Sequence, residues 1–380
     1  MSYDLPGRFR RRHVNKHRTM RIMHVVSNLS TYGAENFVAQ LAAELSDRAV
    51  PVSVLTVYDT PAASRSAVFT GPIFSAQRRN SRDFGFFFRM VKLIKTWKPT
   101  IVHTHVHNGK YWGRLAAIAA GVPHIVHTEH NSDFRAGTLE RCANRIFHRA
   151  TDRVIAFSRS HASALASAER LSESKIAVIP NGIRHARSAD RQRPRAALAL
   201  NEAERAVFVV GRLEAVKNQE LAILSLRHLP PELRARTRLF IIGNGIDESK
   251  LRTLVAQQHL EEQVTFLGFR PDVRELLPAA DALLVVSLNE AMPLSVIEAM
   301  TAAVPVVSTP WNGVHEILRD APAWISDGWE PAEVAAALKD ALRDSSGLRD
   351  RLHDARELAR RHYDIGVTTR RHIGLYEALV

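Results

Sequence analysis

Short runs of β-branched and aliphatic residues alternate along this chain with longer stretches whose apolar positions recur at helical spacing. "IMHVVS" is followed by the helix-like "AENFVAQLAAELSD" and then by "VPVSVLTVY"; "TIVHTHV", "HIVHTEH", "RVIAFS" and "KIAVIPNG" come next. Runs this continuously apolar predict strands covered on both faces, hence a parallel sheet built from βαβ units. Ligands of such sheets bind at the loops beyond the strand ends. The stretch "NGIRHARSADRQRPRAALALNEAE" loses the apolar periodicity and reads as a linker. A second series then begins: "AVFVVGRL", "RLFIIGNG", "QVTFLGF", "ALLVVS", "VPVVST", "AWIS". No repeat of solenoid period interrupts it.

The expected fold class is α/β, with two Rossmann-like doubly wound domains facing each other across a cleft. The boundaries read as a basic disordered tail over 1–19, an N-terminal domain over 20–190 and a C-terminal domain over 191–360. An amphipathic helix over 361–380 can pack on either domain, including a crossing back to the N-terminal one. The first strand starts right after Met20, which makes Met20 an alternative start.

In "FGFFFRMVKLIKTWKP", helical spacing puts Phe86, Met90, Leu93 and Trp97 on one stripe, with Arg89, Lys92 and Lys95 facing away. Packing against the sheet is the favoured reading, and shallow contact with an anionic membrane is the second.

Composition narrows the picture. Hydrophobic residues at 46% and charged residues at 24% describe a globular chain. The single cysteine, Cys142, excludes a disulfide framework and a cysteine-based zinc cluster. No apolar run approaches the ~20 residues that span a bilayer. The N-terminus has no apolar core of a secretory signal. A net charge of +13 favours an anionic partner: nucleic acid, a membrane surface or a phosphorylated ligand.

Three stretches can carry chemistry. "VVGRLEAVKNQELAIL" ends a strand at Gly211 and places Arg212 and Lys217 before a helix, an arrangement that suits phosphate or a solvated basic loop. "IIGNG" sets Gly243 and Gly245 after a strand, for close approach of a ligand or for a structural turn. "SLNEAMPLSVIEAM" places Glu290 in a loop and Glu298 on the helix that Pro293 opens. The chain contains no Asp-x-Asp, so carboxylates that accept hydrogen bonds from sugar hydroxyls fit better than metal ligands. His103, His105 and His107 alternate in "VHTHVH" and would share a strand face. Without cysteine or a convincing acid beside them, a packed strand end is favoured over a metal site. His127 takes the same reading, and His315 reads equally as a donor contact or a polar helix start.

"GRLEAVKN", "GNG", "GFRPDVRELLPAADALLVVSLNEAMPLSVIEAM" and "VPVVSTPWNGVHEIL", in this order, resemble the C-terminal domain of retaining glycosyltransferases of family 4, which have the GT-B fold. "YGAENFV", "KPTIVHTHVHNGKYWGRLAAIAAGVPHIVHTEHNS" and "VIPNGI" are similar to the family's N-terminal half. The resemblance covers residues 20 to 375 and implies a site. Arg212 and Lys217 would bind the donor diphosphate, Glu298 the nucleotide ribose and Glu290 the transferred sugar. Gly33 would approach the phosphates or the acceptor, and His130 would sit beside the reacting sugar. Gly211, Gly243, Ala291, Met292, Pro293 and Leu294 complete the implied donor-binding set. Four departures stand out: Tyr32 for the first glycine of the N-terminal loop, Ala291 for a glycine, Asn312 for the first of two glycines, and Arg184 where an Asp is frequent.

The implied function is metal-independent, cofactor-free transfer of a sugar from a UDP- or GDP-linked donor to a glycan, carried on a polyprenyl diphosphate, for a bacterial envelope polymer or exopolysaccharide. The implied location is cytoplasmic or peripheral on the inner membrane face. Two alternatives stay open: a nucleotide-sugar epimerase of the same fold, and a non-enzymatic basic membrane- or nucleic-acid-binding protein. No aromatic-basic RNA motif or helix-turn-helix pattern supports nucleic-acid binding.

Overall fold

The computed structural model describes residues 20–30, 33–60, 68–134, 138–185, 190–319, 321–343 and 347–380, with backbone alone for 138–142. Tyr32 and the 1–19 tail lie outside the described residues.

The N-terminal sheet has seven parallel strands: β1 (Ile22–Val26), β2 (Val52–Thr56), β3 (Ile73–Ser75), β4 (Ile101–His105), β5 (His124–Thr128), β6 (Arg153–Ala156) and β7 (Ile176–Val178). Their order is β3-β2-β1-β4-β5-β6-β7. The near-continuous apolar sequences follow from cover on both faces. Ile22 and Val26 pack with Ile101, Val126 and Ile155 against helix Gly33–Asp47. Met23, Val25, Val102 and Ile125 face the other way, against Phe86, Met90 and Ile94 of helix Gly85–Trp97. Burying each of these three side chains contributes about 1.5–3 kcal/mol. The buried stripe of that helix thus runs through Ile94 rather than Leu93, while Phe84 and Phe88 stay 68% and 71% exposed. The helix stops at Lys98, which is left-handed at φ 54°, ahead of Pro99.

The C-terminal sheet is also parallel: β8 (Arg205–Val210), β9 (Thr237–Ile242), β10 (Val264–Gly268), β11 (Ala282–Val285), β12 (Val306–Ser308) and β13 (Ala323–Ile325), in the order β10-β9-β8-β11-β12-β13. Phe208, Leu283 and Val306 pack on helix Leu294–Thr301, and Val207, Leu239 and Leu284 pack on Leu221, Leu251 and Leu338.

The segment read as a linker is partly built into this domain. It forms helix Gln192–Ala197, and two of its arginines are tied to the domain. Arg191 and Arg195 reach Asp281 at 2.8 and 3.2 Å, and they also bond the carbonyls of Pro278, Ala279 and Ala280. Guanidinium donors satisfy carbonyls where apolar periodicity is missing, so hydrophobic pattern alone does not register the docking.

The chain passes between domains twice at one place. Ile183 N–H donates to Tyr363 O at 2.9 Å, and Ile365 N–H donates back to Ile183 O at 3.0 Å. Helix Leu348–His362 rests on helix Leu294–Thr301 through buried Ala355 and Ala359. Helix Ile365–Glu377 then lies against helix Gly33–Asp47 of the N-terminal domain, with His372 and Tyr376 buried beneath it.

Strand order reverses between β1 and β4 and again between β8 and β11. Crevices outside the carboxyl ends at such reversals are the binding positions of doubly wound sheets. The loops after β1, β4 and β5 belong to one crevice, and those after β8, β9 and β11 to the other.

Candidate active site

Beyond β8 the chain turns through Gly211 and Arg212 into a short turn, Ala215–Lys217, and Asn218 takes a left-handed conformation before helix Gln219–Ser225. This turn folds Lys217 back toward the neighbouring crevice strand. Its Nζ meets Glu290 Oε1 at 2.5 Å. Ser287 Oγ donates to the same oxygen at 2.7 Å. The backbone of Ser287 is in turn held by Thr309 Oγ1 at 2.8 Å and Trp329 Nε1 at 3.3 Å. A carboxylate that is 9% exposed is therefore fixed by a cation and a hydroxyl from two elements.

Residues 291–294 join this carboxylate to the domain seam. Ala291 and Met292 are buried in the C-terminal core. Asn181 of the other domain donates through Nδ2 to Met292 O at 3.2 Å. Pro293 precedes helix Leu294–Thr301, and Leu294 touches the cores of both domains. One turn on, Glu298 receives Arg274 Nε at 2.8 Å, while Arg274 Nη1 donates to Arg184 O at 3.2 Å. Burial pushes the Glu298 carboxyl above its usual range, Arg274 opposes this, and Glu275 reinforces it.

Arg212 points outward, with its side chain 61% exposed and 3.0 Å from Glu214. Its charge also bears on Glu35 of the opposite wall. That carboxyl is raised by burial, with its own backbone hydrogen bond and Arg212 pulling the other way. Gly243 and Gly245 answer a question left open by the sequence. A Cβ on Gly243 would lie 1.9 Å from Gly211 O, and one on Gly245 would lie 2.1 Å from Leu213 O. Close approach at both positions is by protein backbone, one strand-end turn laid on another.

On the N-terminal wall, Gly33 opens its helix at φ +35° with nothing within 4 Å of a Cβ position. His130 follows β5 and is half-buried, with its ring 5.3 Å from Phe157 and 6.2 Å from Phe37. Phe157 belongs to the core that contains Met292, which links His130 to the loop of Glu290.

The expected histidine trio is corrected. His107 leaves the strand for helix Val106–Asn108 and faces Tyr111, so it does not join His103 and His105. Its place is taken by His24 of β1. His24, His103 and His105 offer ring nitrogens within 4.8 Å of one another, a set of donors close enough for a metal ion. His127 faces the other side of the sheet, 2.9 Å from Thr104 Oγ1. His315 is exposed, and Asn312 beside it is exposed as well. Sequence reading missed four partners: Ser287, Arg274, Glu316 and His24. Glu316 accepts from Arg159 N, Ser160 N and Ser160 Oγ at 2.8–2.9 Å, which ties the first turn of helix Arg159–Glu169 to the C-terminal domain. A histidine inside the apolar run "IMHVV" was a readable signal, and Ser287 lies only three residues from Glu290; Arg274 and Glu316 depend on partners distant in sequence.

The crystal structure of HepE from Anabaena, in complex with UDP and glucose, matches with a TM-score of 0.79 at 19% identity, covering 94% of this chain and 100% of that one. At that identity the likeness concerns the fold, and the fold is GT-B. A model described as Glycosyltransferase Family 4 matches residues 31–187, and one described as Glycosyl transferases group 1 matches residues 190–361. Two facing Rossmann-like domains matched in this order define a GT-B glycosyltransferase. The chain belongs to glycosyltransferase family 4.

Among its relatives is the UDP-Gal:alpha-D-GlcNAc-diphosphoundecaprenol alpha-1,3-galactosyltransferase of Escherichia coli, 27% identical over 252 residues. That match takes in 63% of this chain and 65% of the relative, just under two thirds of its length. The D-inositol 3-phosphate glycosyltransferase of Mycolicibacterium vanbaalenii is 27% identical over 351 residues, covering 82% of this chain and 78% of the relative.

Proposed function

We propose that this glycosyltransferase moves a hexosyl group, with retention at the anomeric carbon, from a UDP- or GDP-linked sugar to a glycan carried on a polyprenyl diphosphate, in bacterial envelope or exopolysaccharide synthesis. The observation that carries the reading is the Lys217–Glu290 pair, 2.5 Å apart at the strand reversal of the C-terminal sheet. It sets a cation for a diphosphate beside a carboxylate for sugar hydroxyls. As the glycosidic bond breaks, positive charge develops on the sugar and negative charge on the departing diphosphate. Arg212 and Lys217 stabilise that negative charge more in the transition state than before it. Glu298, oriented by Arg274, takes the ribose hydroxyls, and Glu290 takes the sugar. His130 meets the sugar from the opposite wall, and Gly33 leaves room for phosphate or acceptor. With two cations at the diphosphate and no Asp-x-Asp, the reaction needs no metal ion.

Two further observations support the lipid-linked acceptor. The Escherichia coli relative is named for a diphosphoundecaprenol acceptor. Helix Gly85–Trp97 holds Phe88 exposed, Phe84 is exposed just before it, and Arg82, Lys92 and Lys95 flank them, a combination suited to shallow contact with anionic lipid. Among the described residues no helix is long and apolar enough to cross a membrane, so attachment at the cytoplasmic face would be peripheral.

The test is a thermal-shift screen of UDP, GDP and their sugars, in which a ligand at 100 times its dissociation constant adds about 2.7 kcal/mol. Transfer to a polyprenyl-diphosphate-linked glycan is then followed in excess chelator, with the product anomer read by NMR. Failure of every nucleotide to stabilise the protein would overturn the reading. An inverted anomer would overturn retention alone.

A further inference from the structure

A column of imidazoles crosses the N-terminal sheet beneath the cleft. His24 is registered against His103 across β1 and β4, and His103 and His105 share one face of β4. His24 Nδ1 lies 3.0 Å from His105 Nε2, and His105 Nδ1 lies 3.2 Å from His130 Nε2. His24, His103 and His105 are fully buried, and His130 at the outer end is half-buried. The rings therefore form a hydrogen-bonded line from the sheet interior to the cleft.

The donor set is compatible with a metal ion, but its hydrogen bonds account for it better. Both nitrogens of His103 already have hydroxyl partners, Tyr376 Oη at 2.6 Å and Thr128 Oγ1 at 2.7 Å. Among the described residues, the hydrogen bonds of His24, His103, His105 and His130 include none to a carboxylate.

A neutral imidazole has one N–H and one bare nitrogen, so the line has only two internally consistent polarities. In one, His24 Nδ1–H donates to His105 and His105 Nδ1–H donates to His130, leaving His130 with its proton on Nδ1. In the other every proton is reversed. His24 Nε2 is buried with no hydrogen-bond partner. The reversed polarity would place an N–H there, and orphaned buried donors are rarer than under-used acceptors. The first polarity leaves only a bare lone pair.

We infer that His24 and His105 are positioning residues that fix the tautomer of His130, so that its Nδ1–H is a donor of set polarity. This rests on the placement of His130 beside the transferred sugar, where the proton would be offered to a sugar oxygen as a hydrogen bond. A tautomeric mixture would halve the population able to make it or replace donor with acceptor.

The test uses the full chain with ¹⁵N-labelled histidine. Long-range nitrogen–proton correlation, with His130→Ala for assignment, should give His130 as the Nδ1–H form. Metal analysis of the same sample should find no stoichiometric transition metal. His24→Phe keeps the apolar volume and removes the terminal donor; it should mix the His130 tautomers and lower kcat about twofold with KM unchanged. His24→Asn places an amide donor near the original Nδ1 and should restore both. A His130 found as Nε2–H, a bound metal, or a His24→Phe variant with unmixed tautomers each overturns the inference. The wild-type spectrum decides even where His24→Phe fails to fold. The tautomer and metal readouts require no turnover, so they stand apart from failure of the proposed reaction.

Discussion

Acidification from about pH 7.5 to about pH 5 should unfold this protein, and its buried histidines set the size of the effect. Burial is the leading cause that holds His24, His103, His105, His127, His130 and His372 below the ordinary 6.5. His24 is brought down to about 3, and His127 and His372 to about 4. The folded chain keeps these rings neutral where the unfolded chain would bind protons. Unfolding then takes up protons, so stability is complete above the unfolded value of 6.5 and is lost as the pH falls below it. At pH 5 an unfolded ring lies about 1.5 units below its pKa, which is about 2 kcal/mol per ring. His24, His127 and His372 together then remove about 6 kcal/mol, and His103 and His105 act in the same direction. Native stability is commonly about 5–15 kcal/mol. Glu35 and Glu298, raised by burial, act in the opposite direction but are fewer. Urea titrations at half-unit steps, at constant ionic strength, should give a free energy that falls steeply below about pH 6.5, with more than two protons taken up on unfolding near pH 5.5. A level free energy from about pH 7.5 to about pH 5 would refute the reasoning, because the rings would then be hydrated or already charged in the folded state.

The remaining predictions concern the cleft. Lys217→Ala and Arg212→Ala should each lower turnover by about 100-fold or more, measured as kcat on the donor found in the screen, with the melting temperature nearly kept for the exposed Arg212. Glu298→Gln should weaken the bare nucleoside diphosphate in calorimetry by about 1.5–3 kcal/mol, whereas Glu290→Gln should leave that affinity and depress turnover of the intact donor. Equal loss of nucleotide affinity in both would refute the division of roles. Gly243→Ala would place a methyl group 1.9 Å from Gly211 O and should lower the melting temperature by several degrees, about 1–3 kcal/mol of strain. Unchanged stability there would mean the two turns are not packed as described.

The parts of this molecule that could be read in its sequence are those written locally. Both sheets follow from apolar runs of strand length, since a strand covered on both faces must be apolar at consecutive positions. Glu290 in a loop and Glu298 on a helix follow from the strand "ALLVV" and from Pro293, all within one short stretch. Most of what stayed hidden depends on partners distant in sequence. Arg274 lies 24 residues from the Glu298 that it orients, and Glu316 lies 156 residues from the Ser160 that it binds. The histidines make the same point. "VHTHVH" displays its alternation, but alternation holds only while the strand lasts, and β4 ends at His105. The third ring comes from β1, because a parallel sheet that reverses its order lays β1 against β4. The glycines of "IIGNG" were ambiguous for a related reason. A residue without a side chain marks a close approach, and only the packing of β8 beside β9 identifies the approaching group as protein backbone.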